Sequence, residues 1–96
     1  MSSLRGTDLE KIRPETRSLI EDMDWNVFVL KHPLPRGWYR YEIVIHDRAE
    51  VVPDDVYKTP MVQMSGVYLP VLATKAVHLA LQKQKERGGD EGARND

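Results

Sequence analysis

The chain has 96 residues, 41% apolar and 30% charged, with 14 Lys plus Arg against 15 Asp plus Glu for a net charge of -1. That length holds one modest core, since a domain near this size buries only about two thirds of the surface its unfolded chain exposes. The near-neutral charge exerts no global pull on nucleic acid or anionic lipid. The lack of cysteine excludes disulfides, thiolate metal sites and cysteine nucleophiles, and with no long apolar run or signal-like start the expected location is cytoplasmic.

Met1 to Gly6 is small and polar and is expected to fray. Thr7 and Glu10 stand at capping-box spacing, a helix-start signal, and Leu9, Ile12, Thr16, Leu19, Ile20 and Met23 follow in a one-face helical stripe. Pro14 interrupts it, because an interior proline loses a hydrogen bond and clashes with the turn before it, whereas at the first helical position it fits. The pattern therefore predicts a turn over Asp8 to Arg13 and a helix from Pro14 to about Met23. Its outer face is acidic, as a solvated face often is.

Trp25 to Leu30 is apolar on both faces except at Asn26, the pattern of a central strand. A second strand alternates: Tyr39, Tyr41, Ile43 and Ile45 are expected inward, and Trp38, Arg40, Glu42, Val44 and His46 outward. Between them Pro33-Leu34-Pro35-Arg36-Gly37 makes a stiff exposed turn, since the prolines donate no ladder hydrogen bond and Gly37 permits positive φ. Val51-Val52 predicts a brief edge strand and Pro53-Asp54-Asp55 a turn. Met61 to Ser65 is expected to be another strand, after Pro60 and before Gly66.

From Leu69 to Arg87 the spacing predicts a helix, with Pro70 in its first turn and Gly88-Gly89 as its stop. Leu69, Leu72, Ala73, Ala76, Val77, Leu79, Ala80 and Leu81 fill an apolar arc, with Thr74, Lys75, His78, Gln82 and Lys85 opposite. Lys75, Lys83, Lys85 and Arg87 give the helix a basic end. The fold class expected is α+β: an N-terminal helix, a three- to four-stranded mainly antiparallel sheet, and a C-terminal helix packed on the sheet. One domain spans 7–88, with 1–6 and 89–96 as disordered tails.

Reaction chemistry finds little support. His32, His46 and His78 are scattered and read as solvated, and His46-Asp47 with Glu50 has no metal-ligand spacing, so no metal and no cofactor is expected. Asp54-Asp55 fits turn chemistry better than acid/base work. Ser65-Gly66 lacks a nucleophile elbow, and no glycine loop of phosphate-binding type is present; a cofactor-free enzyme is the weakest of three hypotheses.

Binding is better supported. Trp38 beside Pro33, Pro35, Arg36 and Arg40 has the composition of a contact surface, because aromatics and arginine dominate interface hot spots. The competing account is that Trp38 covers the edge of a small core. A second binding hypothesis is nucleic acid: helix, strands and a C-terminal helix with basic residues is the element order of double-stranded RNA-binding domains. Lys75, Lys83, Lys85 and Arg87 would make that contact, although the lysine cluster those domains carry at the start of the second helix is missing.

Read together, Asp24-Trp25-Asn26-Val27-Phe28-Val29-Leu30, then Pro33-Leu34-Pro35-Arg36-Gly37-Trp38, then Tyr41-Glu42-Ile43-Val44-Ile45, resembles the front half of ubiquitin-conjugating-type (RWD-like) domains, closest to their small prokaryotic relatives. Val52-Pro53 and Thr59-Pro60-Met61-Val62 could occupy the place of that fold's proline-marked third and fourth strands. The likeness covers roughly Thr7 to Tyr68. It carries over no catalytic residue, since the cysteine and the His-Pro-Asn segment are absent. What it implies is a non-catalytic relative that binds another protein, and the leading expectation is a non-enzymatic adaptor or inhibitor using the proline-flanked turn and a sheet edge.

Overall fold

The computed structural model describes residues 3–47 and 60–95, with side chains described as far as residue 86. In chain order the elements are strand β1 (Ser3–Gly6), a 3-10 turn (Leu9–Lys11), helix α1 (Pro14–Asp22), strand β2 (Asn26–Pro33), a second 3-10 turn (Pro35–Gly37), strand β3 (Tyr39–His46), strand β4 (Val62–Gly66) and helix α2 (Leu69–Asn95). The fold is α+β. Its four strands lie in the order β1-β2-β3-β4, with β1 parallel to β2 and the other two pairings antiparallel.

Strands β2 and β3 form the long central hairpin, in register from Asn26 opposite His46 to Pro33 opposite Tyr39. Side chains alternate across the sheet, so Val27, Val29, Tyr41, Ile43 and Ile45 share one face, and all five are buried. Helix α2 covers that face with Leu69, Leu72, Ala73, Ala76, Val77 and Ala80, spaced by three and one so that they form a single helical stripe. Three of the six are alanines, which keep the helix close to the strands. Ile12 and Ile20 close the core from the N-terminal side, and Trp25, fully buried, donates its Nε1–H to Gln84 Oε1 of α2 at 2.9 Å.

Helix α1 starts at Pro14 as expected, where the missing N–H is not needed. Thr16 is buried within hydrogen-bond distance (3.2 Å) of Thr74 Oγ1 on α2. The Thr74 hydroxyl donates its one proton to the Pro70 carbonyl, so Thr16 is the donor across the helix pair. Thr74, expected on the solvent side, thus meets α1.

Several expectations are corrected. Ser3–Gly6, expected to fray, is strand β1: the Ser3 N–H donates to the Trp25 carbonyl and the Thr7 N–H to that of Val29, and the apolar edge of β2 provides the ladder. The turn expected over Asp8 to Arg13 is present, by contrast: Asp8, with φ 59°, leads into the short 3-10 turn, and no α-helix starts at the Thr7 capping-box spacing. Helix α2 passes through Gly88 and Gly89, the expected stop, to Asn95. Glycine lowers helix propensity by about 1 kcal/mol without blocking a helix, and no proline follows. Tyr39, expected inward, is 47% exposed because the last β3–β4 pair is Tyr41 with Gly66, leaving Tyr39 beyond the covered part of the face. Val44 and His46, expected outward, are buried, so His46 is not a solvated histidine; its ring meets Phe28 edge-on at 6.1 Å. The expected Val51-Val52 strand and the Pro53-Asp54-Asp55 turn lie outside the described residues.

Gly6 holds β1 against β2. Its φ is 137°, and a Cβ there would lie 2.0 Å from the Val29 carbonyl oxygen, an overlap with backbone that no side-chain rotation relieves. Gly6→Ala is expected to cost about 1–3 kcal/mol and to release β1 amides to rapid hydrogen exchange, while β3 amides keep their rank order of protection.

Candidate functional site

The hairpin turn begins at Leu34, whose N–H donates to the Trp38 carbonyl at 2.8 Å. Closing the loop in so few residues requires two consecutive left-handed residues, Arg36 (φ 64°) and Gly37 (φ 79°). For arginine that conformation costs roughly 1–2 kcal/mol. The chain leaves the turn with Trp38 directed to solvent at 66% exposure. Trp38 is therefore not an edge-covering core residue.

A second exposed apolar pair lies across from it. Between the end of β4 and the start of α2, Val67 and Tyr68 are 65% and 63% exposed, followed at once by buried Leu69. Together the two connections enclose an open cleft of about 690 Å³, lined by Gly37, Trp38, Tyr39 and Tyr41 on one side, by Val67, Tyr68, Leu69 and Pro70 on the other, and by Lys11 from the first 3-10 turn. That volume falls within the range of about 300–1,000 Å³ usual for ligand-binding pockets. Neither Trp38 Nε1 nor the Tyr68 hydroxyl has a hydrogen-bond partner among the described residues.

Beneath the cleft sits a charged cluster. Asp8 Oδ2 accepts a hydrogen bond from the Tyr41 hydroxyl at 2.6 Å and another from Lys31 Nζ at 3.0 Å; Lys11 Nζ stands farther off at 3.8 Å. Lys31 also lies over the Tyr39 ring, 4.0 Å from its centroid, a cation–π contact that holds this wall of the cleft. The Tyr41 hydrogen bond, then that of Lys31, holds the Asp8 carboxyl below the usual carboxylate range, and Asp8 in turn raises the Lys31 ammonium above its ordinary value. Asp8 adopts its left-handed backbone at modest cost, since a short polar side chain tolerates that region.

These shifts carry a sign. A carboxyl with a lowered folded pKa stabilises the fold above its unfolded value, and that contribution is lost as pH falls through the folded pKa. The raised Lys31 contributes fully below the ordinary lysine value and loses its contribution as pH rises through the raised one. Asp8→Asn, which keeps the side-chain shape and the tolerance of positive φ, should therefore flatten both arms. Urea midpoints are expected to fall less steeply than wild type below about pH 4 and above about pH 10. Equal steepness in the two proteins would show that the cluster does not couple to folding.

Of the residues singled out by sequence, only Trp38 lines the cleft. Pro35 and Arg36 form its adjoining turn and are exposed, and Pro33 ends β2. Arg40 is exposed and pairs in register with His32 on the opposite face, away from Trp38's cleft. On α2, Lys75, Lys83 and Lys85 are exposed, but at about 100° per residue Lys83 and Lys85 point about 160° apart. Lys83 donates to the Met61 carbonyl at 3.0 Å, and Arg87 belongs to α2 by its backbone. Lys83 and Lys85 therefore share no face. His32 is paired with Glu42 at 3.0 Å, and among the described residues no group of His, Asp and Glu is placed to hold a metal ion. No helix among them is long and apolar enough to cross a membrane.

Sequence reasoning did not single out Lys11, Val67 or Tyr68. The available signal was two apolar residues in a connection bounded by Gly66 and Pro70, where a polar loop is the norm. The fold and cleft define a small α+β domain with a solvent-open aromatic cleft. No family model, curated protein or solved structure matches the chain.

Proposed function

We propose that this protein is a non-enzymatic binding module for another protein, acting as an adaptor or inhibitor, with the aromatic cleft and its proline-flanked turn as the contact surface. The observation that carries this is the exposure of Trp38, Val67 and Tyr68 on opposite sides of one cleft. Large aromatics turned to solvent and grouped together are unfavourable in a free monomer and mark interaction sites. Buried in an interface, they supply the rigid anchors on which affinity concentrates. Likeness of the hairpin sequence to ubiquitin-conjugating-type domains without their cysteine supports the same proposal, because non-catalytic members of that group bind proteins. The spread of Lys83 and Lys85 around α2 makes nucleic-acid binding through Lys75, Lys83, Lys85 and Arg87 the less favoured alternative, since phosphate tracking calls for a continuous basic face.

Arg36→Gly tests the turn without endangering the fold. Glycine relieves the left-handed strain, so stability should stay level or rise by up to about 1 kcal/mol, while capture of a partner by the immobilised protein weakens. Unchanged capture would remove Arg36 from the contact surface. Retention of RNA or DNA on purification that is lost steeply with added salt would favour the nucleic-acid alternative instead.

A further inference from the structure

We infer, building on the protein-binding proposal, that the cleft takes an extended peptide segment bearing a carboxylate side chain next to apolar ones, with Lys11 as the residue that recognises the acid. Among the described residues lining the cleft, Lys11 is the one charged side chain. Asp8, beside it, is already engaged by shorter contacts from Tyr41 and Lys31, while Lys11 reaches Asp8 only at 3.8 Å and the Tyr41 hydroxyl at 3.5 Å. Two ammonium groups thus share one carboxylate, and the surplus positive charge is on the lysine whose side chain is 53% exposed at the cleft.

The walls specify the rest of the ligand. Trp38, Tyr39, Val67 and Tyr68 offer ring faces and aliphatic surface to apolar side chains. The Trp38 indole N–H and the Tyr68 hydroxyl, unpartnered among the described residues, are donors for carbonyl oxygens. An extended chain presents such carbonyls without internal partners, whereas a helix has already used them. A second copy of this chain is a poorer occupant. A twofold contact through this face would bring the surplus charge of Lys11 and the adjoining Arg36 of both copies together, and like charges brought together at an interface oppose association.

The test is panning of a random linear peptide library on the full chain, followed by titration of the best-enriched peptide against variants. Enriched sequences are expected to carry Asp or Glu beside apolar residues. Affinity should fall about tenfold or more in Lys11→Met, since that variant keeps the side-chain length but loses the charge-assisted hydrogen bond to the acid, and further in Lys11→Glu. Lys85→Glu, remote on α2, should leave it unchanged. Basic or uncharged enriched sequences, or an acidic peptide indifferent to Lys11→Glu, would overturn the acid-recognition role. If such a peptide still requires Trp38, the protein-binding proposal stands without it; if no peptide is enriched, the inference fails. A dimer in solution that Trp38→Ala dissociates would make the face a self-interface and also overturn it.

Discussion

Replacing Trp25 with alanine is expected to lower the free energy of unfolding by about 3–5 kcal/mol, the usual cost of emptying an aromatic site in a packed core. Trp25 is fully buried just before β2, its carbonyl accepts the Ser3 N–H that begins β1, and its indole donates to Gln84 on α2. It therefore joins the N-terminal strand, the central hairpin and the long helix. Domains of this kind have only about 5–15 kcal/mol of net stability, so the variant should show a much lower urea midpoint by far-ultraviolet circular dichroism. Gln84→Ala separates the two contributions: losing one acceptor costs about 0.5–1.5 kcal/mol, and the remainder measures packing. A loss below about 1 kcal/mol in Trp25→Ala would contradict the burial.

The second tryptophan should behave in the opposite way. Trp38→Ala removes a ring that is 66% exposed, so stability should stay within about 0.5 kcal/mol of wild type. Binding to a captured partner should weaken by about 2 kcal/mol or more, some thirtyfold, as for a central aromatic anchor. The chain has two tryptophans, which makes each visible alone. In Trp25→Phe the remaining Trp38 should emit to the red and be quenched by iodide; in Trp38→Phe the remaining Trp25 should emit to the blue and resist quenching. Partner addition should shift the first signal and leave the second. Substantial destabilisation by Trp38→Ala would assign the ring to the core and withdraw the contact surface.

The difference between these tryptophans shows where sequence pattern is decisive and where it is not. Alternation over Tyr41, Ile43 and Ile45 and the three-and-four spacing over Leu69, Leu72, Ala73, Ala76, Val77 and Ala80 each allow one way to bury the apolar set, and the structure buries both sets. Pro14 and Pro70 mark helix starts by their geometry alone. These local rules determined the α+β class, both helix starts, the central hairpin and its exposed proline-flanked turn.

Tertiary contact decided the remainder. Ser3–Gly6 has too little apolar character to call for burial, and it becomes a strand because β2 offers an open parallel edge and Gly6 fits where a Cβ would strike Val29. Tyr39 continues the inward alternation but lies past the last β3–β4 pair, so its exposure depends on where β4 ends. The cleft joins three segments far apart in sequence: Lys11, the residues around Trp38, and Val67-Tyr68. No local period relates them. Lys31 and Asp8, 23 positions apart, meet because parallel pairing of β1 with β2 sets Asp8 beside the far end of β2. Periodicity reports which face of an element is apolar; what lies opposite that face, and where the covering stops, follows from how the elements dock.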